Sequence, residues 1–417
     1  LVTARSSTDV LVVGGGPAGC AAAIRLAAVG HRVTVLERST GRTPFARGDL
    51  LVPAAVEELT ELGVDVAELG ANRIIGTRLR YGDRSVPVRW PETRNSEADG
   101  AVLRRSTLNT ALRERAVDLG ADVHVGARAT TPTVERGFVR GASIEYRDGS
   151  PGEISCRFLV VADGANSRFG RGLGTHRDRR WPYAISTSTY VTSDRSSDSW
   201  LETSLGPLDA NDHPVTGHGW VHPVGDGTLN IGVTILSSYG DVRGVNIVKL
   251  LDAFAASVAS RWDFDPDERL VEPVRRRIPV GGSVSPTMGP TFLVAGDAAA
   301  MANPFNSHGV RAALATGSTA ADVLDEALTV GNSTTLQQYP RLLDDALGRY
   351  HKVGRLTARF LGRPWLLRTA LSTGIRSDAA MGAALRIATN ELRQGETGGA
   401  ERAYRLAAII ARFAPSW

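Results

Sequence analysis

Residues 14–19 read Gly-Gly-Gly-Pro-Ala-Gly, between a short apolar run, Asp9–Val13, and an alanine-rich helical pattern that Gly30 closes. This is G-x-G-x-x-G at a strand-to-helix turn. Gly14 permits the tight turn, Gly16 lets the backbone approach a pyrophosphate, and Gly19 lets the helix pack close to the strand. Pro17 and Ala18 open the helix, whose free N–H groups and positive dipole end suit phosphate oxygens. A second strand, HRVTVLER, ends in Glu37 and Arg38, with the acid at about the ~20-residue spacing that suits a ribose hydroxyl. Together these parts predict a dinucleotide site.

Residues 296–309, GDAAAMANPFNSHG, follow the apolar strand TFLVA. The stretch is too small for ordinary core and too apolar for an ordinary loop, so something large is expected against it. His308 near its end could act as an acid or stabilise charge, or simply cap a helix; both readings stand. His218, Trp220 and His222 alternate and so share one face of a strand. At ~3.3 Å per residue the two histidines stand about 13 Å apart, too far to hold one metal ion. They could line a substrate chamber, but half-exposed sheet histidines are the preferred reading. His31, His124, His176 and His213 read as surface or turn residues.

The elements that would position these residues follow a βαβ order from residue 9 to 37, which predicts a parallel sheet. Residues 53–70 read as a helix opened by a proline, 74–90 as a strand pair and 105–119 as a helix. Strand ADVHVGA follows, then two or three antiparallel strands over 133–162. Residues 181–236 read as a separate sheet, 245–261 as a helix, and the chain after 305 as mostly helical, with a helix starting near Asn306. The expected fold class is α/β (α+β): a Rossmann-type cofactor domain (1–80, 101–175, 279–330), an interleaved antiparallel-sheet substrate domain (81–100, 176–278) and a helical C-terminal region (331–417).

The basic residues are nearly all arginine, lysine appearing only at Lys249 and Lys352, and the net charge is only +4. No motif supports nucleic-acid binding. Cys20 and Cys156 form no CxxC pair, so neither a zinc site nor a disulfide framework is expected. With no signal-peptide pattern and no apolar run of membrane-spanning length, the expectation is a cytoplasmic protein. The tail YHKVGRLTARFLGRPWLLRTALSTGIR reads first as a basic helical cap and second as a peripheral contact with an anionic membrane.

Three stretches in order, Gly-x-Gly-Pro-Ala-Gly with Val-Leu-Glu-Arg, FLVVADGANS at 158–167, and Gly296-Asp297 with Pro304, resemble the FAD-binding proteins of the para-hydroxybenzoate hydroxylase-like group. The resemblance implies FAD held by Gly14, Gly16, Pro17, Ala18, Gly19, Glu37, Arg38, Arg47, Gly48, Arg105, Ala129, Asp163, Gly164, Gly296, Asp297, Pro304, Ser307, His308, Gly309 and Val310. Asp297 would reach the ribityl chain and the helix start near His308 the flavin's pyrimidine edge. The plain alternative for Arg105 is a surface arginine; the family usually has an acid where Asn109 stands.

Over residues 9 to about 325 the chain resembles the geranylgeranyl reductase family, including reductases of menaquinone prenyl chains. GDLLVPAAVEELTELGV, VADGANSRFGRGLG, GWVHPVGDGTLNIGV, IPVGGSVSPTMGPTFLVAGDAAAMANPFN and GVRAALATG carry the likeness. It implies reduction of an isoprenoid C=C by reduced flavin, with His308 and His222 as candidate catalytic residues and His218, Trp220 and His222 lining a site for a prenyl-type substrate. Four positions depart from the family: Ser307 and His308 stand in Ser-His-Gly where it usually has Gly-Glu-Gly, Arg47 stands where it often has cysteine, and His222 where an apolar residue is common. With no second G-x-G-x-x-G, NAD(P)H or another reductant would bind transiently. The rival reading is a class A flavin monooxygenase built on the same cofactor motifs.

Overall fold

The computed structural model describes residues 6–40, 49–91, 99–209, 214–239, 242–392 and 398–413. The elements that build the site are, in chain order, β1 (Ser6–Val13), α1 (Pro17–Ala28), β2 (Val33–Glu37), α2 (Pro53–Glu61), α3 (Arg105–Asp118), β3 (Pro151–Val161), β4 (Tyr183–Thr192), β5 (Gly217–Pro223), β6 (Thr228–Leu236), α4 (Ile247–Trp262), β7 (Phe292–Val294), α5 (Val310–Val330), α6 (Arg349–Leu361), α7 (Asp378–Thr389) and α8 (Gly399–Phe413).

Strands β7, β3, β1 and β2 lie side by side, all parallel. Val10, Leu11, Val12, Leu159, Val160, Leu293 and Val294 are fully buried, the continuous apolar pattern of a sheet covered on both faces. From β1 the chain goes to β2 on one side, and β3 closes the other. The carboxyl end of β1 is therefore a switch point, where open α/β sheets leave a crevice for ligands.

A second, seven-stranded sheet runs Arg276–Pro279, β4, β6, β5, Trp200–Leu205, Gly76–Tyr81, Arg84–Arg89. Its pairs are antiparallel except Trp200–Leu205 with Gly76–Tyr81. Its two faces differ in chemistry. Ile185, Val191, Val221, Ile231, Val233 and Ile235 pack against Leu250, Leu251, Phe254, Val258 and Trp262 of α4 in one apolar cluster. The register puts Ser186 beside Thr234, Ser188 beside Gly232 and Tyr190 beside Asn230, and those β6 residues beside His218, Trp220 and His222. This second face is largely polar.

The glycines of the Gly-Trp and Asn-Ile-Gly-Val segments now have a physical account. A Cβ on Gly219 would stand 2.5 Å from the Phe254 ring, and one on Gly232 would stand 2.1 Å from the Trp220 indole. Asn230 accepts the Trp220 Nε1–H bond at 2.8 Å.

Two expected boundaries shift. The helix read over 53–70 ends at Glu61, because Gly63 takes the left-handed conformation (φ +76°) and stops it. The helix expected near Asn306 starts at Val310. Ser307 is left-handed (φ +62°), and a closed loop precedes the helix: Asn303 donates its N–H to the His308 carbonyl at 3.0 Å, and Ser307 donates to the Asn303 carbonyl at 2.9 Å.

Candidate active site

The glycine loop is cramped behind and open in front. A Cβ on Gly14 (φ +110°) would lie 2.2 Å from the Ala162 carbonyl oxygen, and one on Gly19 1.9 Å from the Gly14 carbonyl oxygen. A Cβ on Gly16 would meet nothing within 4 Å. Helix α1 begins directly after Gly16 with no side-chain cap, so its first N–H groups are left for an incoming anion. Glu37 braces the loop, accepting the Gly15 N–H at 2.8 Å and the Ser39 N–H at 2.7 Å; an ionised carboxylate keeps further acceptor sites for a hydroxyl. Open space over Gly16, a free helix start and an acid at the end of β2 fit the diphosphate and ribose of FAD.

Asp163 accepts the Phe169 N–H at 3.0 Å; burial raises its carboxyl, and the charge of Arg38 opposes that rise. Gly164 is left-handed (φ +81°). Ala129 is half-buried in the strand Ala127–Glu135, just past Gly126, whose N–H reaches the Glu37 carbonyl at 2.7 Å. Arg47 and Gly48 lie outside the described residues.

Gly296 (φ +61°) is forced by α1, since a Cβ there would stand 2.8 Å from the Ala18 Cβ. Its N–H donates to Thr316 Oγ1 at 2.9 Å. Asp297 follows, half-buried, with Oδ1 2.8 Å from where a Cβ on Gly309 would be. Val310 is buried at the first turn of α5.

The two asparagines of Asn-Pro-Phe-Asn serve another purpose. Asn303 Nδ2 and Asn306 Nδ2 donate to the Ala388 carbonyl at 2.8 and 2.9 Å, at the carboxyl end of α7. Arg311 donates to the Asn390 carbonyl at 2.8 Å. Pro304 is buried against α6, where a Cβ on Gly354 would fall 2.2 Å from its Cγ. The loop of the cofactor motif is therefore also the socket of the C-terminal helices. The sequence signal was two amides flanking Pro-Phe, donors in need of acceptors.

The histidines converge. Trp220 lies between His218 and His222, with ring centroids at 6.0 and 5.8 Å, the second pair stacked. His222 is 2% exposed, which overturns its reading as a half-exposed sheet histidine: the polar face of β5 is turned into the protein. His218 and His308 are half-buried. Burial pushes His308 down to about 4, with help from Arg105. It pushes His218 down to about 3 and His222 well below the usual range, and charge on His308 lowers both further. The loop histidine is thus near enough for its charge to be felt at both sheet histidines, and burial favours the neutral ring in all three. Among the described residues no group of histidines, cysteines and carboxylates could hold a metal ion.

Sequence reasoning passed over Asp49. It is 2% exposed and accepts the Tyr190 hydroxyl at 2.6 Å and the Arg105 N–H at 3.0 Å. Burial raises its carboxyl to about 6. Arg104 stacks 4.3 Å over the Tyr190 ring and pairs with Asp226, so this knot ties the start of α3 to the polar face of the second sheet.

Glu58 on α2 lies 3.9 Å from Arg311, and burial raises it to about 7, reinforced by Glu61, Glu57 and Glu391. Between pH 4.5 and 7 the folded chain keeps a proton that the unfolded chain gives up, so this group's contribution to stability falls as pH rises. Glu58→Gln should therefore leave the melting temperature at pH 5 unchanged and raise it at pH 8 by a few degrees, an effect of roughly 2 kcal/mol. Equal melting shifts at both pH values would refute the assignment.

Residues 7–208 match the FAD binding domain family. The chain is 33% identical to the menaquinone reductase of Mycobacterium tuberculosis (strain H37Rv) over 407 residues, 98% of this chain and 97% of the relative. This chain belongs to the geranylgeranyl reductase family. The family reading is supported by 28% identity to the digeranylgeranylglycerophospholipid reductase of Methanoculleus marisnigri, covering 85% of each chain. A geranylgeranyl bacteriochlorophyll reductase-like protein of Thermoplasma acidophilum shares the fold at TM-score 0.75 and 23% identity, over 98% of this chain and 96% of that one. The chain is accordingly an FAD-dependent oxidoreductase.

Proposed function

We propose that this protein reduces an isoprenoid carbon–carbon double bond. The observation that carries the reading is the convergence of His308, from the cofactor loop, with His218, Trp220 and His222 of the second sheet, around the space the flavin and substrate would share. The relatives are named for reducing menaquinone and a geranylgeranylated glycerophospholipid.

FAD would be held by the open face of Gly16, the start of α1, Glu37, Asp163 with Gly164, Asp297 and the start of α5; bound and reduced, it supplies hydride. The protein's own part is to position and to move a proton. Trp220 and the sheet wall the site. His308, neutral at pH 7, holds its proton on one ring nitrogen and offers the lone pair of the other. Because imidazolium forms only near pH 4, His308 passes a proton between solvent and substrate and does not store one. Arg105, with its backbone fixed by Asp49, orients charge beside it. NAD(P)H or another reductant would reach the flavin transiently. Exposed Leu406, Ile409, Ile410 and Phe413 form one stripe on α8, at the i, i+3, i+4, i+7 spacing of a helix that can rest on a lipid surface. No helix among the described residues is long and apolar enough to cross a membrane.

Product mass tests the reaction. FAD-loaded enzyme with dithionite and no oxygen should add two hydrogens to a prenyl lipid. An added oxygen atom, only in air and with NADPH, would overturn the reading in favour of a monooxygenase. Asp297→Ala tests the cradle: FAD retention, read as flavin absorbance after gel filtration, should fall at least about tenfold, the worth of one charge-assisted hydrogen bond. Full retention would count against the assignment.

A further inference from the structure

A flavin that gives up hydride has to be reduced again, and the one glycine-rich dinucleotide loop of this chain is taken by FAD. Beside the cofactor loop lies a cluster of arginines that the FAD cradle does not use. Arg177 and Arg277 stand 5.1 and 5.5 Å from the centre of the Tyr183 ring, and Arg355 stands 3.9 Å from the centre of Trp181. Three elements bring them together. Tyr183 opens β4, Arg277 lies on the neighbouring strand Arg276–Pro279, and Arg355 comes from α6.

The cluster is tied to the cofactor loop through the backbone. Gly281 and Gly282 donate their N–H groups to the Ala302 and Ala300 carbonyls at 2.9 and 2.8 Å. Arg355 donates to the Gly281 carbonyl. A single backbone layer therefore separates Arg355 from residues 300–302.

Among the described residues none of the three arginines is ion-paired. Two acids make their charge felt here. Asp178 pairs with Arg180 at 2.7 Å and also feels Arg177. Burial lowers Arg355 to about 10, and Asp344 opposes that only in part. Arg177 spends one nitrogen on the Asp178 and Trp181 carbonyls, at 3.3 and 3.0 Å, and Arg355 spends one on Gly281. A guanidinium carries five N–H donors in a planar fork, so most are left over. Trp181 Nε1 and Ser283 Oγ are buried without a partner in the same segments. Ser283 is 3% exposed, and its carbonyl accepts the Asp178 N–H at 2.8 Å. Guanidiniums held on aromatic faces, with donors to spare and orphaned polar atoms beside them, are the makings of an anion site.

We propose that Arg177, Arg277 and Arg355 bind the diphosphate of a dinucleotide reductant, so that NADPH or NADH docks against the cofactor loop from this side. Three guanidiniums exceed what one carboxylate can match, whereas a diphosphate offers oxygens to several at once. A prenyl diphosphate carries the same head, and the experiment separates the two sources. The docking site needs only a reducible flavin, so it stands or falls independently of which alkene is reduced.

The test uses the full chain loaded with oxidised FAD, without oxygen and without lipid. NADPH is titrated and flavin bleaching is read: a hydride from NADPH and a proton from solvent pass to the flavin, and NADP+ is left. The rate should saturate with NADPH, and inorganic pyrophosphate should compete. Arg277→Gln, at an exposed position, should raise the NADPH concentration at half-maximal rate about tenfold, the worth of one charge-assisted hydrogen bond. FAD retention and bleaching by dithionite should not change. Arg355→Lys, which keeps the charge and loses the fork, should raise it as well. No bleaching by NADPH or NADH where dithionite succeeds, no competition by pyrophosphate, or unchanged half-saturation in both variants would overturn the site. Geranylgeranyl diphosphate is the second arm, read from flavin fluorescence. If its binding depends on Arg277 while bleaching by NADPH does not, the cluster holds a lipid head and the reductant assignment falls.

Discussion

Gly16→Ala is expected to give a folded protein that does not keep FAD. The apoprotein should melt within about two degrees of the parent, since the backbone there (φ −89°, ψ −175°) is open to any residue and a Cβ would meet nothing within 4 Å. The same methyl would sit where a pyrophosphate must approach the loop, so flavin retention should fall about a hundredfold, a loss of roughly 3 kcal/mol. Gly317→Ala is the matching control with the opposite outcome. Its Cβ would lie 2.1 Å from the Ala18 carbonyl oxygen, so α1 and α5 would have to part, at a cost of about 1–3 kcal/mol felt in the melting temperature of the apoprotein. Full FAD retention in Gly16→Ala, or an unchanged melting point in Gly317→Ala, would show that the loop is shaped by something other than a phosphate in front and a helix behind.

The second large effect is on turnover. His308→Ala should lower kcat about a hundredfold, in the range ascribed to a positioned proton-transfer group, with FAD retained. His308→Gln is the informative partner. A side-chain amide can hydrogen-bond but cannot take up and hand on a proton, so His308→Gln should stay about as slow as His308→Ala while the parent's rate stays level around neutral pH. A true imidazolium acid would instead make the parent's rate climb as pH falls toward 4. Equal rates for His308→Ala and the parent would remove His308 from the reaction. Recovery in His308→Gln would make it a hydrogen-bonding residue only, and a rising acid limb in the parent would make it an acid instead.

The cofactor loop could be read from residues 14–37 because glycine spacing, a strand before and a helix after express local backbone geometry, and local geometry lies within reach of sequence. The same holds for the polar alternation of His218, Trp220 and His222, which placed them on one face. Which way that face turned was not legible. It depends on α4, more than ten residues past β6, taking the Ile, Val and Leu of the opposite face. Asp49 was missed for a similar reason: its partners Tyr190 and Arg105 lie 141 and 56 residues away, and an acid before Leu-Leu-Val carries no periodic signal. The helix start at Val310 slipped past because Ser307 adopts a left-handed conformation without being glycine. The purpose of Asn303 and Asn306 is settled by a helix end some 80 residues later.

The two-faced second sheet has a consequence for how such an enzyme diversifies. Its apolar side, locked to α4, answers for whether the domain stands. Its polar side answers for what the domain admits. Because successive residues of a strand alternate between those duties, His218, Trp220 and His222 can be exchanged one at a time while Val221 between them goes on holding the sheet to its helix. New substrate contacts can thus be set on a standing scaffold without touching what holds it together.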